Sequence, residues 1–141
     1  MNAKEYLKSA ALINMSIDCK LSVIASLRTA AEKCTSSISP GPGGGGDSRR
    51  LENIIAKIDA AEREVDADID KLILKKAEIE ATIGKLEDPL QREVLSMRYI
   101  GFMSWQDIVE STCYSESSVD RLHRNALKRL DEILEDDSSC H

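Results

Sequence analysis

The chain has 141 residues, a formal net charge of −6, 42% apolar and 31% charged residues, and only five aromatics: Tyr6, Tyr99, Phe102, Trp105 and Tyr114. That length suits one domain, or a small domain plus an extended element, and so few aromatic and β-branched runs disfavour a sandwich or barrel. No run approaches about 18 uncharged apolar residues and no basic-then-apolar leader opens the chain, so an all-α, soluble, cytoplasmic protein without a membrane partner is expected.

Residues 2–34 predict a first helix, opened by Asn2 with Glu5 three positions later, the spacing of a capping box. Its seam is Ala3, Tyr6, Ala10, Ile13, Ile17, Lys20, Ile24, Leu27, Ala31 and Cys34, with Lys20 the only charged member. A Gly/Pro/Ser-rich connector follows at about 35–50, where four consecutive glycines after two prolines suit neither helix nor strand.

Residues 51–86 hold the strongest periodic signal. Leu51, Ile58, Val65, Leu72, Ile79 and Leu86 recur every seventh residue, and the companions read four residues on are Ile55, Glu62, Ile69, Lys76 and Ile83. This pattern predicts a coiled-coil helix of roughly 54 Å at 1.5 Å per residue. Residues 1–87 then close as a long antiparallel helical hairpin. Pairing positions whose numbers sum to 82 sets Ile24 on Ile58, Ile17 on Val65, Lys20 on Glu62 and Tyr6 on Lys76. A parallel homodimer would stack Glu62 on Glu62 and Lys76 on Lys76; self-association of the hairpin itself stays open.

A second domain is expected over 88–134, followed by an acidic tail at 135–141. Asp88 and Pro89 start a helix that Gly101 ends; Ser104 caps the next, to about Ser111. After the turn Thr112-Cys113-Tyr114, Ser115 caps a long helix running to about Leu134. Helix, short turn and capped helix is the layout of a helix-turn-helix. Val119, Leu122, Ala126, Leu130 and Ile133 share the core face of the long helix, with His123 on the core side. Ser117, Arg121, Arg124, Asn125 and Lys128 share the opposite face. Within 118–130 the bases Arg121, Arg124, Lys128 and Arg129 oppose Asp120 alone, so the local sign is positive although the chain is acidic. The expected partner is double-stranded DNA, met by Ser115, Ser117, Ser118, Arg121, Arg124, Asn125 and Lys128.

The segment RYIGFMSWQDIVESTCYSESSVDRLHRNALKRL, Arg98 to Leu130, resembles region four of bacterial sigma factors. With the preceding LEDPLQREVLSMRYI and the opening AKEYL, the chain is similar to phage and prophage late transcriptional regulators of the ArpU- and RinA-like kind. The resemblance implies a transcriptional regulator in a bacterial host cell, with RNA polymerase as a further partner. It also implies base contacts from Glu116, Ser117, Asp120, Arg121 and Arg124. Sigma factors commonly carry arginine at the first and fifth of these positions, whereas Glu116 and Asp120 stand here, which points to a target other than an ordinary −35 element. The alternative is a helical adaptor that docks on RNA polymerase or another phage protein without touching DNA.

No enzyme and no cofactor are expected. The Gly43–Gly46 run lacks the Gly-Lys-Ser/Thr of a phosphate loop. A zinc site can be drawn on paper from Cys113, His123, Cys140 and His141, but no ligands are paired on a tight turn.

Overall fold

The computed structural model describes residues 2–36 and 45–139. Among them the protein is all-helical, 90% helix, with five helices and no strand. These are α1 (Ala3–Ser36), α2 (Gly45–Ile83), α3 (Pro89–Leu95), α4 (Trp105–Thr112) and α5 (Glu116–Ser139); α3 runs on into a π-helical turn, Ser96–Ile100. The chain forms two compact units, Ile13–Lys71 and a second that joins the residues up to Leu12 to those from Leu72 onward. Residues 37–44 of the connector lie outside the described residues, but Gly45 and Gly46 open α2, which corrects their exclusion from helix. A first turn has no intrahelical acceptors for its N–H groups, so glycine is tolerated there.

In the Ile13–Lys71 unit, α1 buries Ile17, Ile24 and Cys34 while α2 buries Ile54, Val65 and Asp68. The every-seventh set on α2 faces inward as expected, with Leu51 and Ile58 half-buried. Its companions, however, follow at three residues: Ile54, Ala61 and Asp68. Ile55 and Ile69, assigned to the seam from sequence, are 54% and 39% exposed. A left-handed pair alternates steps of three and four, and the apolar Ile55 and Ile69 made the wrong step look the better one.

This choice shifts the register. Lys20 does not meet Glu62; its ammonium donates to Asp68 Oδ2 at 2.6 Å, with Glu64 at 3.9 Å. Glu62 instead takes Arg28. As positions rise on α1 their partners fall on α2, so the segments run in opposite directions, offset by six to eight residues from the sum-82 pairing, roughly 9 to 12 Å. The hydrogen bond from Lys20 holds the Asp68 carboxyl below its usual range. A paired carboxylate inside an apolar seam penalises slipped registers more than it stabilises the right one.

In the other unit, Ala3, Leu7 and Ala10 of α1 are fully buried with Ile79, Ile83 and Leu86, and with Leu95, Tyr99, Ala126 and Leu130. A second cluster joins Val94, Ile108 and Val119. Two alanines let the start of α1 approach closely, and Ala3 N–H donates to Asp131 Oδ1 at 2.7 Å. Asn2 caps α1 through its Oδ1, which accepts from Glu5 N–H at 2.9 Å. Tyr6 does not meet Lys76: Lys75 lies 5.8 Å over the Tyr6 ring, and Lys76 lies 4.5 Å over Phe102. The α2 helix stops at Ile83, three residues before the last heptad position, and Gly84 and Lys85 form a turn that still buries Leu86. At the other end α5 continues past Leu134 into the expected acidic tail, where Lys85 pairs with Asp137 at 2.6 Å. Cys140 and His141 lie outside the described residues.

By length and composition α1 is apolar enough to cross a membrane, an 18-residue window within it reaching a mean hydropathy of 1.4. The expectation that no stretch approaches a span rests on uncharged runs; Asp18 and Lys20 interrupt this one.

Lys20→Glu is expected to lower the melting temperature by several degrees, because a third carboxylate would join Asp68 and Glu64. Adding Asp68→Lys should recover most of the loss. Thermal unfolding followed by circular dichroism checks both.

Candidate nucleic-acid interface

The candidate interface is built on α4, α5 and the turn between them. Ser104 caps α4 by accepting from Asp107 N–H at 3.1 Å. The helix ends on Cys113, which adopts the left-handed conformation at φ 61° and ψ 19° and returns its N–H to Val109 O at 3.0 Å. Left-handed closure reverses the chain within three residues and delivers Ser115, whose Oγ accepts from Ser118 N–H at 3.1 Å and caps α5.

The faces of α5 separate as its periodicity requires. Val119, His123, Ala126 and Leu130 are buried. Ser115, Ser117, Ser118, Arg121, Arg124, Asn125 and Lys128 are all exposed. Among the described residues, Arg121 and Lys128 make no ion pair. Arg124 is held by Asp120 one turn earlier, Nε to Oδ2 at 2.9 Å. Arg129 lies outside this strip: it reaches Glu87 at 2.8 Å and Glu132 at 3.1 Å, and its pKa is raised further by those bonds.

His123 is a packed histidine. Its Nε2 shares a hydrogen bond of 2.8 Å with the Tyr99 hydroxyl, and Trp105 meets the imidazole edge-on at 4.6 Å between centroids. Burial pushes the imidazole below its ordinary pKa; Lys4 and Arg98 push the same way, and Asp120 opposes them. Burial likewise raises the Tyr99 phenol. Arg98 lies 4.5 Å over the Trp105 ring and donates to Met103 O at 2.9 Å.

Two features escape the sequence reading. Lys4 acts electrostatically on His123 because Ala3 and Leu7 pack in the same core, a relation across more than a hundred residues that local spacing cannot reveal. An open groove of about 410 Å³ lies beside the start of α5, lined by Trp105, Gln106, Val109, Glu116, Val119 and Asp120. Both acids at the expected base-reading positions therefore belong to this groove. No group of three or more metal-ligating side chains occurs among the described residues.

A family model described as "Protein of unknown function (DUF1492)" matches residues 35–131, and the chain belongs to that family. Comparison with curated proteins and with solved structures returns no match.

A His123 pKa lower in the folded than in the unfolded state means that the unfolded chain binds the extra proton as pH falls through about 6.5. This contribution to stability is fully present above that pH and is lost on acidification. Urea titrations between about pH 7.5 and 5.5 should show the decline, and His123→Phe should make it shallower.

Proposed function

We propose that the protein is a sequence-specific DNA-binding transcriptional regulator, with a long helical hairpin ahead of a sigma region-four-like helix-turn-helix. The reader is α5, entering a major groove with Ser115, Ser117, Ser118, Arg121, Arg124, Asn125 and Lys128. One observation carries the reading: on a capped helix whose other face is buried, Ser117, Arg121, Arg124, Asn125 and Lys128 all stand in solvent. A short turn through the left-handed Cys113 between α4 and α5 supports this reading. The chemistry is binding, without catalysis or cofactor, in the cytoplasm of a bacterial host and for phage or prophage genes. The phage association of its family agrees with this setting.

Affinity would come mostly from phosphate neutralisation, and a single small module binds modestly. A second copy joined through the helical pair, or RNA polymerase bound alongside, would supply the rest. The Asp120–Arg124 pair favours a second reading, a helical adaptor that docks on RNA polymerase or another phage protein and leaves DNA untouched.

Selection from a random duplex pool, followed by anisotropy titration on the recovered site, tests the proposal. Arg121→Ala and Arg124→Ala are each expected to cost about 1–3 kcal/mol. Variants that bind like the parent would remove α5 as reader, and failure to retain any duplex at low salt would favour the adaptor. Asp120→Ala should free Arg124, tighten binding to non-selected duplex and steepen its salt dependence.

A further inference from the structure

In the Ile13–Lys71 unit two ion-paired sets join the helices, on opposite sides of the seam, and a third, Arg63 with Asp59, lies within α2. Lys20 with Asp68 and Glu64 closes one flank, and Arg28 with Glu62 closes the other. On the Arg28–Glu62 flank, residues seven apart repeat the same position: Leu21 and Arg28 on α1, and Ile55, Glu62 and Ile69 on α2. Leu21, Ile55 and Ile69 are 48%, 54% and 39% exposed. Ile55 and Ile69 stand roughly 21 Å apart along α2, four turns of helix. The pair of helices leaves these apolar residues uncovered, with the Arg28–Glu62 pair between them.

The borders of this strip are predominantly acidic. One step outward the same seven-residue spacing places Asp18 on α1, and Glu52, Asp59 and Asp66 on α2, all exposed, with Asp59 already paired to Arg63 at 2.9 Å. Arg28 is the one cation within the strip and is already bonded to Glu62. A second copy laid on this strip would set carboxylates on carboxylates in either direction. Anionic lipid and nucleic acid meet the same repulsion.

We infer that this flank is a docking surface for an amphipathic helix of another protein, one with apolar residues at seven-residue spacing and lysine or arginine on both sides of them. Such a helix would fill the groove between α1 and α2 as the third member of a bundle, burying Leu21, Ile55 and Ile69 while its cations meet the two acidic borders. The inference stands on the Ile13–Lys71 unit alone and does not depend on the DNA reading.

The test uses the full chain and two synthetic amphipathic peptides with identical leucine heptads, one flanked by lysine and the other by glutamate. By isothermal titration the lysine peptide is expected to bind and the glutamate peptide not. Ile55→Asn and Ile69→Asn should each weaken the lysine peptide at least about tenfold. Leu74→Asn, 72% exposed in the parent, should leave it unchanged because it lies off the strip. Glu52→Lys with Asp66→Lys should reverse the preference between the peptides. Helicity matched by circular dichroism ensures that each variant is folded. Equal binding of both peptides, or equal loss from Leu74→Asn and the isoleucine variants, would overturn the inference. So would parent dimers in sedimentation equilibrium that Ile55→Asn dissolves, since the occupant would then be a second copy.

Discussion

Everything at the candidate interface depends on the burial of one face of α5. Ala126 and Leu130 are fully buried, and Val119 is 2% exposed. At 100° per residue, a helix so anchored must turn positions 121, 124, 125 and 128 away from the core. The exposure of the arginines therefore follows from the packing of their neighbours. The Ser115 cap fixes where this rotation begins, and the left-handed Cys113 fixes the direction from which α5 leaves α4.

Charge adds a second layer. Net charge is −6, yet the bases on α5 are handled individually: Arg129 is consumed by Glu87 and Glu132, Arg124 is shared with Asp120, and Arg121 and Lys128 stand unpaired among the described residues. A binding surface assembled this way has few free cations. The energetic weight per arginine on a polyanion is correspondingly large, and each is sensitive to its carboxylate neighbour.

Local chemistry was readable from sequence, whereas long-range packing was not. Asp88, Ser104 and Ser115 all cap helices, because a capping residue and the N–H it accepts from lie within three positions of each other. The α5 stripe was legible for the same reason. Register was not: Ile55 and Ile69 look like seam residues until one sees that Asp68 occupies the seam, paired with Lys20. The seam pattern turns Ala3 and Ala10 inward but omits Leu7, and nothing near position 3 announces that these residues complete a core with Tyr99 and Leu130. The end of α5 was missed because Lys85, about fifty residues upstream, holds the acidic extension.

Trp105 is the sole tryptophan of the chain, with a guanidinium over its face, an imidazole at its edge and an open groove alongside. Its emission is consequently an intrinsic optical signal for this part of the molecule. Red-shifts would report solvent entry beside α4, and quenching would report a newly charged ring at position 123. Occupancy near the start of α5 can thus be followed without any attached dye.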